Sequence, residues 1–197
     1  CVFYPHRDAH AQIVSENDPR IRAEFTHYPT KNGKIRAYLA TLKKDEKRPD
    51  VIVIHENKGL QPHIQDVTRR LALEGFLAIA PDALSPVGGT PDNVDQAKKL
   101  IRELDRKSTI DNFTAAVQYL KTNPLSTGKV GCIGFSWGGA MTNQVAVNSP
   151  DLQAAVPYYG SQPDVNDVKK IKASLLLQYA GIDERINKGI PQFEEAL

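Results

Sequence analysis

Gly134-Phe135-Ser136-Trp137-Gly138 is the stretch whose residue types and spacing spell out a reaction. It overlaps the end of a short apolar run, Val130 to Phe135, and leads into a helix-compatible segment, so the serine falls on a tight strand-to-helix turn. Such a turn strains the dihedrals of its central residue and leaves no room for side chains two positions to either side, which is where the glycines stand. It lifts the Ser136 hydroxyl above the sheet edge and sets the backbone N–H of Trp137 at a helix N-terminus, where an oxyanion is stabilised. The chemistry would be nucleophilic attack on an acyl carbon. The bland alternative is a turn that only closes a strand–helix unit, with Ser136 capping the helix.

Competing chemistries find little footing. There is no G-x-x-x-x-G-K-[ST], and Gly134 to Gly139 lacks the G-x-G-x-x-G spacing of a dinucleotide site. His55-Glu56 begins like the zinc motif H-E-x-x-H, but Gly59 stands where the second ligand belongs, so no metal is expected and no cofactor is called for. Cys1 and Cys132 are the only cysteines, too few for a disulfide framework or a paired-cysteine zinc site. With 25 Lys+Arg against 23 Asp+Glu the net charge is +2, which offers no basic field for a nucleic-acid backbone. No apolar run approaches the roughly 18 residues of a membrane span.

The elements that must position Ser136 follow from hydrophobic patterning in 197 residues, a length that suits one domain. Residues 1–20 lack periodicity and read as an irregular arm; residues 21–197 read as one α/β domain. Arg22 to Tyr28 and Lys34 to Thr41 are strand-like and joined through Asn32-Gly33, a hairpin signal. Beyond Lys43 to Arg48, read as a solvated loop, come short continuous apolar runs: Val51 to Ile54, Phe76 to Ala80, Val130 to Phe135, Ala154 to Tyr158 and Ser174 to Tyr179. Runs of this kind suit a mostly parallel sheet covered on both faces. Between them, helical faces are formed by Ile64, Val67, Thr68 and Leu71, by Val94, Ala97, Ile101 and Leu104, and by Ile110, Phe113, Val117 and Leu120. Pro191 to Leu197 reads as the start of a helix without a stop signal, so the domain is expected to be incomplete at its C-terminal end.

Three blocks give the chain a resemblance to the dienelactone hydrolase family of α/β-hydrolases: Val51-Ile-Val-Ile-His-Glu56 with Asn57, Lys58 and Gly59; Gly75-Phe-Leu-Ala-Ile-Ala-Pro-Asp82; and Gly131-Cys-Ile-Gly-Phe-Ser-Trp-Gly-Gly139. The resemblance runs from about Glu24 onward and implies acyl transfer from esters or lactones to water. The family's usual nucleophile is a cysteine, where this chain carries Ser136. The resemblance implies that Glu56 matches a glutamate that helps to switch the nucleophile on, and that the backbone N–H of Asn57 completes the oxyanion hole with that of Trp137. Read from residue type alone, Glu56 is equally a surface carboxylate ending a strand or capping the helix near Pro62, and His55 is a hydrogen-bonded core residue more readily than a catalytic one.

In α/β-hydrolases the triad runs Ser, then Asp or Glu, then His. Asp183 lies where the resemblance puts the acid, although it also suits a turn before a helix. The five histidines, His6, His10, His27, His55 and His63, all precede Ser136. A serine needs an oriented base to take its proton. Three explanations stand open: the chain is part of a longer, cut or split hydrolase whose histidine follows Asp183; His55 or His63 substitutes; or the domain is a binding module without turnover. The resemblance implies a further strand and helix after Leu197, whose absence would favour association with that segment or self-association. Dienelactone-specific members hold a carboxylate with an arginine shortly after the Pro-Asp strand end. Pro81 to Thr90 has none. The expected substrate is a small ester or lactone of undetermined acyl group, with Trp137, Tyr158 and Tyr159 either forming an aromatic wall or packing.

Overall fold

The computed structural model describes residues 12–197. Its strands are β1 (Ile21–Thr30), β2 (Gly33–Leu42), β3 (Arg48–Ile54), β4 (Leu77–Pro81), β5 (Ser126–Phe135), β6 (Leu152–Tyr158) and β7 (Ser174–Leu175). They form one sheet in the order β1-β2-β4-β3-β5-β6-β7. β1, β2 and β4 pair antiparallel; β4, β3, β5, β6 and β7 are parallel. The helices are α1 (Pro62–Leu73), α2 (Val94–Glu103), α3 (Arg106–Lys121), α4 (Trp137–Asn148), α5 (Val165–Val168), α6 (Glu184–Asn187) and α7 (Ile190–Ala196).

Successive residues of one strand enter different cores, as the two-residue side-chain period requires. On β3, Ile52 and Ile54 join the core under α2, α3 and α4, while Val53 joins the one under α1. Helices therefore cover both faces, and the continuous apolar runs of the sequence have that cause.

Four details differ from the sequence reading. The hairpin loop is Lys31-Asn32, with Thr30 paired to Gly33, and Gly33 alone of the three takes a positive φ, 114°. Arg48 is buried in β3, its guanidinium donating to Thr41 Oγ1 at 3.2 Å and to the carbonyls of Leu42 and Lys44. The run Ser174 to Tyr179 is a strand only at Ser174–Leu175, continued by an isolated bridge between Tyr158 and Gln178. It has one neighbour, β6, and Leu176 turns outward. Finally, α1 buries Asp66 and Arg69 beside its apolar face. The reason is a clasp on the N-terminal arm: Asp66 Oδ1 accepts from Val14 N–H at 2.8 Å, and Arg69 Nε donates to Val14 O at 2.7 Å. Of the arm expected over residues 1–20, residues 1–11 lie outside the described residues, and 12–20 carry neither helix nor strand.

Candidate active site

The carboxyl ends of β3, β5 and β6 meet at one point. Ser136 leaves β5 with φ 55° and ψ −114°, outside both helical and extended backbone, and Trp137 starts α4. A non-glycine residue held there costs on the order of 1–3 kcal/mol, so the surrounding packing must impose it. It does so through close approaches. A Cβ on Gly134 would meet Gly138 O and Thr142 Oγ1, and one on Gly138 would meet the carbonyl oxygens of Ile54 and His55 at the end of β3. Ser136 N–H donates to Tyr158 O of β6 at 2.9 Å, closing the other side.

Ser136 occupies the N-cap position of α4 without a side-chain cap bond, and among the described residues its hydroxyl has no hydrogen-bond partner. That sets aside the capping alternative. The side chain is half-buried, at the N-terminus of a helix of 12 residues. Asn57, in the loop after β3, is exposed, and Glu56 is half-buried. The N-cap of α1 is Gln61, so Glu56 does not cap that helix. Glu56 lies instead on the wall of a cavity of about 550 Å³ that also includes Gln12, Lys58, Gln61, His63 and Val94.

His55 is fully buried. Its Nδ1 lies 2.6 Å from Glu56 O, and its Nε2 accepts from Ala83 N–H at 3.1 Å. Burial holds its pKa below the ordinary imidazole value, against the pull of the backbone carbonyl and of the carboxylates of Asp82 and Glu56. With both nitrogens engaged, His55 cannot serve as the base for Ser136. Among the other described histidines, His63 is exposed on α1.

Asp183 is half-buried at the N-cap of α6, where its Oδ1 accepts from Ile186 N–H at 3.2 Å. Among the described residues no histidine bonds to it. The geometry is that of the turn aspartate that the sequence left open beside the triad acid.

Asp82 gains its importance, and Tyr159 and Trp137 their environment, only in the folded chain. Tyr159 takes φ 38°, the other positive-φ non-glycine among the described residues, and follows β6 directly. Its phenol pKa is raised by burial, then by the charge of Glu56, which places the two groups in one neighbourhood. The available signal was Tyr158-Tyr159-Gly160 closing a strand. Asp82, fully buried, accepts from Leu84 N–H and Thr90 N–H and from Thr90 Oγ1 at 2.8 Å; Thr90 Oγ1 in turn accepts from Leu60 N–H at 2.8 Å. This chain ties the loop after β4 to the loop after β3. Trp137, considered for an aromatic wall, instead stacks on His55 with centroids 5.5 Å apart and meets Phe113 edge-on at 6.1 Å.

Known proteins resemble this chain in sequence and fold. A family model for the dienelactone hydrolase family matches residues 35–197. The protein usf of Aquifex pyrophilus is 40% identical over 168 residues, covering 80% of this chain and 71% of its own. A sequence of Escherichia coli O157:H7 assigned as a carboxymethylenebutenolidase is 32% identical over 188 residues, 88% of this chain and 69% of its own. The solved structure of a Klebsiella pneumoniae protein assigned as a dienelactone hydrolase aligns with a TM-score of 0.80 at 29% identity, over 90% of this chain and 80% of that one. With its strand order and its strained turn after β5, the chain belongs to the dienelactone hydrolase family and has the α/β-hydrolase fold of that family.

Proposed function

We propose that this member of the family is a serine-type hydrolase of carboxylic esters or lactones. The observation that carries the reading is Ser136 itself: a hydroxyl without a partner among the described residues, held at φ 55° by packing from three strand ends, at the start of α4. Strain of this kind is maintained where a group must be presented rather than satisfied.

In the proposed mechanism Ser136 Oγ attacks the acyl carbon while its proton passes to a base. The N–H groups of Trp137 and Asn57 stabilise the oxyanion. Collapse releases the alcohol, which takes up the proton, and water then cleaves the acyl-enzyme to give the acid and restore Ser136. Asp183 is assigned to orient a histidine as that base; His55 is committed elsewhere, and among the described residues no histidine bonds to Asp183. Glu56 lies on the wall of the cavity of about 550 Å³, which has room for a small ester or lactone. Neither metal nor cofactor enters the mechanism, and neither nucleic acid nor membrane is a proposed partner. Self-association, or association with a further segment of chain, is proposed for the sheet edge at β7, where Leu176 is 57% exposed and Ile182 on the following loop 96%. Sedimentation as a monomer at high concentration, with no second chain bound, would count against that association.

The decisive experiment is intact-mass spectrometry before and after treatment with a fluorophosphonate, followed by peptide mapping. One adduct on Ser136 is expected. A chain that stays unlabelled overturns the reading in favour of an α/β scaffold without turnover.

A further inference from the structure

His55 engages one ring nitrogen and one ring face with the segments that would supply the oxyanion donors, and its other nitrogen with the loop after β4. We propose that His55 is a positioning residue of the oxyanion hole, latching the Glu56–Asn57 peptide so that the Asn57 N–H stays presented while the imidazole braces Trp137. The inference rests on the serine-hydrolase reading above and adds a residue to it.

The argument begins with the peptide bond. Glu56 O and Asn57 N–H belong to one planar unit, and in a trans peptide they point in opposite directions. Gripping Glu56 O from the imidazole side, at 2.6 Å, therefore turns the Asn57 N–H to the far side and opposes a flip of the unit. A carbonyl that accepts a hydrogen bond also polarises its peptide, strengthening the N–H as a donor. The grip is directional because the two bonds of the ring demand the same tautomer. Glu56 O has no proton to give, so Nδ1–H must donate; Ala83 N–H has no lone pair to offer, so Nε2 must accept. The ring is thereby locked between the loop after β3 and the loop after β4.

The other donor is bound to the same ring. The Trp137 indole lies nearly parallel to the imidazole, with an interplanar angle of 15°. The charges that bear on His55 are the carboxylates of Asp82 and Glu56, from the two loops; Trp137, from α4, brings none. Burial of the ring holds it neutral against those charges.

Two substitutions and one spectrum test this. His55→Phe keeps a ring against Trp137 but removes both bonds. His55→Asn keeps an N–H near the Nδ1 position. With the wild type labelled at Ser136, His55→Phe should slow acylation by a fluorophosphonate at least about tenfold, a fraction of the loss that removing an oxyanion donor causes. The KM for a chromogenic ester should move by less than about threefold, because the hole acts on the transition state. His55→Asn should recover part of the rate. Imidazole nitrogen NMR of the wild type should show Nδ1 protonated and Nε2 bare at neutral pH. A folded His55→Phe that acylates at the wild-type rate overturns the latch, as does a protonated Nε2; if His55→Phe does not fold, His55→Asn and the wild-type spectrum decide. A wild type that is not labelled at all sinks the hydrolase reading and the oxyanion role with it, whereas a labelled wild type with an indifferent His55 sinks the latch alone.

Discussion

β3 and β5 carry a serine and a carboxylate at or just beyond each of their ends, with opposite outcomes. At the amino ends Ser126 of β5 donates to the Asp50 carboxylate of β3 and accepts from Gly128 N–H at 2.8 Å. Both side chains are buried, and burial pushes the Asp50 carboxyl up to about 6 although the Ser126 bond pulls it down. At the carboxyl ends Ser136 and Glu56 follow the same two strands, but the hydroxyl has no partner among the described residues and its backbone is strained. The functional groups are alike; what differs is whether the hydroxyl has already given its proton away. A hydrogen-bonded pair welds two strands, whereas a strained, unengaged serine at a helix N-terminus is available for bond making.

The contrast breaks most directly by removing each hydroxyl. Ser136→Ala should lower ester hydrolysis at least about 10³-fold, as loss of a nucleophile does, while Ser126→Ala leaves the rate within about twofold. Equal effects would erase the distinction between the two ends. The next largest effect is steric. Gly138→Ala drives a Cβ into the carbonyl oxygens of Ile54 and His55 and should cost about 3 kcal/mol in chemical denaturation. Gly131→Ala, further down β5, meets nothing nearer than Ala154 O at 3.6 Å and should cost under about 1 kcal/mol.

Ser126→Ala leaves the buried Asp50 carboxylate without its donor and should lower stability by about 1–3 kcal/mol at neutral pH. Asp50→Asn has the most specific pH dependence. The folded chain keeps the Asp50 proton up to about pH 6, whereas the ordinary carboxyl releases it near 3.8. The folded state thus holds the extra proton between these values, so the stability contributed by this group falls as pH rises from 4 to 6 and stays lost above. Asp50→Asn should be level with wild type near pH 4 and more stable by about 1–2 kcal/mol at pH 8. A difference that does not vary with pH would remove this account of the amino end.

Much of this was legible in advance where the cause is local. The Ser136 turn follows from two glycines and an apolar run, since steric exclusion acts within a few residues. The continuous runs in β3, β4 and β5 announced a sheet covered on both faces. Arg48 and the helix residues Asp66 and Arg69 were misread or overlooked because charged side chains are buried only when distant partners satisfy them. Trp137 could be placed on the turn but not aimed, because the direction of its indole depends on Phe113 and His55.

The sequence by itself determined the family resemblance, the position of Ser136 and the order in which strands and helices alternate, all of which depend on near neighbours and on period. Tertiary structure alone decided that His55 is neutral and engaged at both nitrogens, and that the Ser126 hydroxyl is spent while that of Ser136 is not. The partners concerned lie as far as 76 positions apart, as for Ser126 and Asp50. Only the packing of strands into one sheet brings such groups within hydrogen-bonding reach, and no pattern along the chain encodes which of two similar hydroxyls will find an acceptor.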